Sequence, residues 1–191
     1  MTRLVCLLTP VALYAQAGLT PAWEVKKNLE TLAAQTKRLS PLIEEIKTAD
    51  WLANGAPPAY SDQAKTVKAE VGYLVRMTGE LAKEPDKMTL ALETYVRMET
   101  LDSMLMSLSE GVRQYQNPAL ADLIQGILGE NDGQRQKLRG YLVELISTKE
   151  IELRIMNEEA QRCRATILRP QRPAAKPPAA PKPAERKQNP R

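Results

Sequence analysis

Between Pro21 and Leu168 apolar side chains recur every three or four positions, and no stretch alternates apolar with polar residues long enough to form a strand. That period fits the 3.6 residues of a helical turn, so the pattern predicts an all-α chain. The first stripe comprises Val25, Leu29, Leu32, Leu39, Ile43 and Ile46, with Thr36 filling the missing step of a 3.5-type, coiled-coil-like repeat. Pro41 interrupts it. With Ser40 in front, this proline either kinks one helix or opens a second at its first turn.

From Asp50 to Asp62 the pairs Asn54-Gly55 and Pro57-Pro58 predict a loop. A second helix is expected over about 63–83, burying Val67, Val71, Leu74, Met77 and Leu81, and Pro85 ends it. Asp86 reads as the cap of a third helix over about 87–116. Its stripe is the longest in the chain: Met88, Ala91, Tyr95, Met98, Leu101, Leu105, Leu108, Val112 and Tyr115. Glu93 and Arg97 form an i,i+4 pair on its flank.

Asn117-Pro118 restarts the chain as a cap with proline in the first helical position, followed by apolar Leu120, Leu123, Ile124, Ile127 and Leu128. The run Gly129-Glu130-Asn131-Asp132-Gly133 then predicts a break, with Asn131 or Asp132 capping a last helix that extends to about Ile167. The alternative is one uninterrupted helix of nearly fifty residues; the break is preferred because it yields a last helix as long as the third. Short connections make neighbouring helices antiparallel. The expected architecture is an up-and-down helical bundle of four main helices with one short extra segment.

Residues 1–17 read as a secretory signal peptide: Arg3 supplies the positive start, Leu4 to Tyr14 the apolar stretch, and Ala15-Gln16-Ala17 a small-x-small cleavage site before Gly18. Eleven mostly apolar residues are too few to cross about 30 Å of hydrocarbon, and no later segment reaches that length. Cys6 lies inside the apolar stretch and not just after it, so a lipid anchor is not expected. The chain is expected to be exported, to the periplasm or the extracellular space, with no transmembrane segment after cleavage.

The basic excess of the 191-residue chain, 27 Lys and Arg against 23 Asp and Glu, is concentrated at its end. Residues 169–191 hold seven of the fourteen prolines and a charge of +6, whereas residues 18–168 come to −3. So many prolines forbid helix and strand interiors, so 169–191 is expected to be a disordered, extended tail. Its cations Arg169, Arg172, Lys176, Lys182, Arg186 and Lys187 are candidates for contact with an anionic envelope component. A solubilising spacer has the same composition. Nucleic acid is not an expected partner, because export removes the chain from it and no aromatic residues interleave the basic ones.

The chain has no histidine, which removes the commonest general base near neutral pH together with His-bearing triads and zinc sites. Neither Gly-x-Gly-x-x-Gly nor Gly-x-x-x-x-Gly-Lys occurs, so the usual backbone cradles for dinucleotides and triphosphates lack a candidate. Glu44-Glu45 and Glu158-Glu159 stand about 100° apart on a helix and do not face one cleft. No catalytic residue, cofactor or metal site is assigned.

Three features remain. Cys163, the only cysteine left after cleavage, is a candidate for an intermolecular disulfide in a homodimer or for a reactive thiol, with an inert thiol as the plain alternative. Met98, Met104 and Met106 raise a soft-metal site for copper, although thioethers more often fill gaps in helix bundles. Trp51 and Tyr60 lie in the Pro-rich connection, where their rings either offer a binding surface to a protein partner or plug the open end of the bundle. The sequence thus leads to an exported, non-catalytic bundle acting by protein or envelope-polymer interaction, with a small-ligand or copper-binding protein as the alternative.

Overall fold

The computed structural model describes residues 19–168. Six helices follow in order: α1 Ala22–Lys37, α2 Leu39–Glu44, α3 Thr48–Ala53, α4 Ala59–Leu81, α5 Met88–Tyr115 and α6 Pro118–Leu168. No strand occurs among the described residues. The chain is all-α, and α1, α4, α5 and α6 are its four main helices. The signal peptide read over 1–17 and the tail over 169–191 lie outside the described residues.

Paired side chains show the helices running up and down. The hydroxyl and backbone N–H of Thr20 donate to Glu144, the Lys137 ammonium reaches Asn28 at 3.4 Å, and Arg38 pairs with Glu130, so α1 and α6 are antiparallel. On α4 and α5, Gln63 donates to the Met104 carbonyl at 2.9 Å and Arg97 meets Glu70 at 3.2 Å. On α5 and α6, Arg113 meets Asp122, Gln125 donates to Ser109, and Arg135 meets Asp102.

The core is the set of stripes brought together. Val25, Leu29, Leu32, Thr36, Leu39 and Ile43 are buried, as are all five stripe residues of α4. On α5 burial runs from Ala91 through Met98, Leu101, Leu105 and Leu108 to Val112. Each such large aliphatic side chain withdrawn from water contributes about 1.5–3 kcal/mol, and these rows decide which face of each helix turns inward. Met88 departs from expectation and is exposed.

Three local predictions are corrected. Pro41 does open a second helix, the second of its two readings, but the start is not at Ser40: the chain leaves the α1 ladder at Arg38 and starts α2 at Leu39, which puts the proline in a first turn that needs no N–H from it. The Asp50 to Asp62 loop shrinks, because α3 and the start of α4 occupy most of it. The turn between them is closed by Gly55 at φ 85°, a left-handed conformation that favours glycine.

The third correction concerns the break at Gly129 to Gly133: α6 is one helix of 51 residues. The residues that looked like caps have other engagements. Asp132 binds Arg135 one turn further on, Glu130 binds Arg38 just past α1, and Asn131 is buried. The inward row Ile124, Ile127, Leu128, Asn131 and Leu138 passes both glycines without changing face, and its packing outweighs their poor helix propensity. At the start of α6, Asn117 does cap as expected, its Oδ1 accepting the Ala119 N–H at 2.9 Å.

The chain divides into two compact units, residues 1–151 and 152–191. The core described above belongs to the first. In the described part of the second, 152–168, every residue is helical and exposed.

Candidate functional site

Of the candidate pair, Trp51 is withdrawn from solvent and Tyr60 is partly buried. Trp51 sits on α3 and is fully buried, its ring edge-on to Tyr60 at 5.6 Å and stacked on Tyr115 at 6.1 Å. Tyr60, in the first turn of α4, is partly buried in the same cluster. Gln116, just past α5, ties this end together: its Oε1 accepts the Trp51 indole N–H at 3.1 Å and the Lys47 N–H at 2.9 Å, while its amide donates to the Glu45 carbonyl at 2.8 Å. Trp51 has no surface to offer a partner, and the ring cluster plugs the end of the bundle.

The tail cations Arg169, Arg172, Lys176, Lys182, Arg186 and Lys187 lie outside the described residues. Cys163 is an exposed free thiol on α6. The three methionines are not gathered: Met98 is in the core, Met104 is partly buried on the core's edge, and Met106 is exposed. Among the described residues no group of three or more acidic or cysteine side chains is arranged to hold a metal ion. No described helix is long and apolar enough to cross a membrane.

Three features went unread in the sequence. The first is an ionic cluster where Arg135 of α6 meets Glu99 at 3.7 Å and Asp102 at 2.7 Å, and also binds Asp132. Burial pushes the Asp102 carboxyl up to about 6; Arg135 draws it down, but Glu99 and Asp132 add to the rise. Tyr95 is raised too, first by its hydrogen bond to Glu99 and then by burial. Helical periodicity could not reveal this cluster, because it depends on which faces of α5 and α6 meet.

The second is a cleft of about 200 Å³ between α1 and α6. Val25, Leu29, Leu32 and Leu138 line its apolar side, while Glu24, Asn28, Lys137 and Glu144 line its polar side. Gln134 also borders it, and the Oε1 of Gln134 has no hydrogen-bond partner. Gln35 Oε1, Thr36 Oγ1 and Asn131 Oδ1, on the same two helices, are likewise buried without a partner.

The third is a groove of about 540 Å³ along α4 and α5, lined by Thr66 and Glu70 from α4 and by Leu92, Val96, Thr100 and Met104 from α5. Leu92 and Val96 are large apolar side chains about half exposed, one helical turn apart. Arg97 is fixed at the groove's edge by Glu70 at 3.2 Å and Glu93 at 3.4 Å, and its guanidinium lies 4.3 Å from the centre of the Tyr73 ring. The sequence did place Glu93 and Arg97 as a pair. It gave no sign of the groove, since Leu92 and Val96 stand outside the buried stripe and isolated outward apolar residues are common.

No protein-family model, curated protein or solved structure matches this chain.

Proposed function

We propose that this protein is an exported, non-catalytic helical bundle that works by binding another protein in the cell envelope or outside the cell. The observation that carries the reading is the outward apolar row of α5. A bundle helix normally turns a polar face to water. Leu92 and Val96 instead stand exposed in a groove whose rim carries Glu70, Glu93 and Arg97. Apolar surface gathered in a channel and edged with fixed charge suits an amphipathic helix laid into it, with side chains one turn apart as anchors. The basic tail adds a second, electrostatic contact to an anionic envelope component. Non-catalytic action is supported by Asp102, the carboxyl whose ionisation is most displaced, being engaged by Arg135.

Co-sedimentation with isolated envelope material, at low and high salt, tests this on the full chain and two variants. One carries Leu92→Glu and Val96→Glu; the other carries Gln at all seven basic tail positions, Arg191 included. Binding lost in the groove variant and kept by the tail variant supports protein docking at α5. Binding that needs the tail and fades with salt makes the partner a polyanion, and binding insensitive to both changes sinks the reading.

A second reading, a small-ligand binder, is favoured by the cleft between α1 and α6 with its unpartnered Gln134 oxygen. Its soft-metal form has less behind it, because Met98, Met104 and Met106 do not converge.

A further inference from the structure

From Ile151 to Leu168 every residue of α6 is exposed. A helical stretch that buries no face is marginal in water, since helices in proteins owe most of their stability to packing. This stretch has a face suited to packing. Leu153, Met156, Ala160, Cys163 and Ile167 follow one another at alternating spacings of three and four, the signature of a heptad seam. Leu153 is 64% exposed, Met156 63% and Ile167 80%, so nothing among the described residues covers them. Ile151 and Ile155 begin another apolar row, but Glu158, Glu159 and Arg162 follow it. Only the Leu153 to Ile167 seam persists to the end of the helix.

We propose that this seam receives a second copy of the chain, the two helical ends pairing parallel and in register as a short two-stranded coiled coil. Charge decides the orientation. With Ala160 at position a and Cys163 at d, Glu159 falls at g and Arg164 at the following e. In a parallel pair g meets e of the other helix five residues on, so Glu159 faces Arg164 of the second copy, and two-fold symmetry repeats the contact. An antiparallel pair sets g against g and brings the two Glu159 carboxylates together. The parallel register also places Cys163 opposite Cys163 in the seam, whereas Glu158 and Arg162, 3.9 Å apart on one helix, stay on the outside. This surface shares no residue with the α5 groove, so either assignment can fail without the other.

The test is sedimentation velocity on the full chain, reduced, over a series of concentrations. A monomer to dimer transition is expected, and Leu153→Glu with Ile167→Glu should leave monomer throughout. Glu159→Arg alone, or Arg164→Glu alone, should raise the dimer Kd roughly threefold to tenfold, and the two together should restore it. Oxidised glutathione then reads the register. Two Cys163 thiols and one oxidised glutathione give one interchain disulfide and two reduced glutathiones, the protein sulfurs losing the two electrons that the glutathione gains. Cys163, or Met156→Cys in a Cys163→Ser background, should cross-link much faster than Gln161→Cys in the same background. Monomer at every concentration, any other stoichiometry, equal cross-linking at 161 and 163, or a charge swap without rescue would overturn the proposal.

Discussion

Arg135 of α6 donates to Asp102 of α5 across 2.7 Å, yet the carboxyl of Asp102 is displaced upward, to about 6. The two facts agree once the neighbourhood is counted. The Asp102 side chain is only 13% exposed, so ionising it forfeits most of its hydration, and the same guanidinium is shared with Glu99 and Asp132. One cation serving three carboxylates cannot fully offset burial together with their mutual repulsion. The cluster holds α5 and α6 in register and leaves Asp102 sensitive to mild acid.

A pH dependence follows with a definite sign. Asp102 binds its proton more tightly in the folded chain than in the unfolded one, where the carboxyl titrates near 3.9. Its contribution to stability is complete below about pH 4, falls as the unfolded state ionises first, and is lost above about pH 6. Asp102→Asn removes this slope. Urea midpoints of the two proteins should diverge between about pH 4 and pH 6 in favour of the variant, by on the order of 2 kcal/mol, and run parallel above that. Curves parallel over the whole range would mean that Asp102 titrates normally.

Gly111 marks the closest approach in the aromatic plug. A Cβ there would stand 2.8 Å from Tyr60 Cε1 and 3.0 Å from Trp51 Cζ3, so the rings would have to separate. Gly111→Ala is expected to lower stability by roughly 1–3 kcal/mol from overpacking, even though alanine favours a helix by about 1 kcal/mol. Trp51→Ala should cost more, about 3–5 kcal/mol, by opening a cavity and leaving Gln116 Oε1 without its indole donor. Denaturant midpoints check both. An alanine at 111 as stable as the parent would show that the rings move apart freely.

The uninterrupted α6 makes the opposite prediction for two other glycines. A Cβ at Gly129 or Gly133 meets nothing within 4 Å. Each alanine substitution should therefore raise stability by up to about 1 kcal/mol, and the pair should be close to additive. A hinge at this point would use the freedom of glycine, and its loss would be neutral or harmful. The sign of the change in thermal midpoint separates the two cases.

Periodicity reached the stripes Val67 to Leu81 and Ala91 to Val112 because one helix face carries the whole signal. It placed Asn117 and Pro118 at the start of α6 because a cap is local chemistry. It failed at Gly129 to Gly133, where the inward packing of Ile124, Ile127, Leu128 and Leu138 on both sides keeps the helix continuous; what that row packs on lies far off in sequence. The aromatic plug was open to sequence reasoning as a choice between burial and display, and the fit of Trp51 against Gly111, an ordinary-looking glycine in mid-helix, settles it for burial. The groove was hidden for a different reason. Leu92 and Val96 acquire meaning only when Thr66 and Glu70 of α4 rise beside them.

Asn131 and Thr36 raise the last question. Both are nearly completely buried, at 3% and 1% exposure, and neither Asn131 Oδ1 nor Thr36 Oγ1 has a partner. The cross-helix pairs Arg38 with Glu130 and Lys137 with Asn28 bracket them at one level of the α1–α6 contact. A buried polar group left unsatisfied costs about 1–3 kcal/mol, which an apolar side chain of similar size does not. Asn131→Leu is therefore expected to stabilise the fold by about 1 kcal/mol, whereas Asn131→Ala should destabilise it by leaving a void. Opposite signs in a denaturation series would show that the pair is a strained point of the core. If leucine also destabilises, something fills the hydrogen-bonding role in solution, water or a small molecule entering from the neighbouring cleft, and the ligand-binding reading would gain a second support beside the cleft itself.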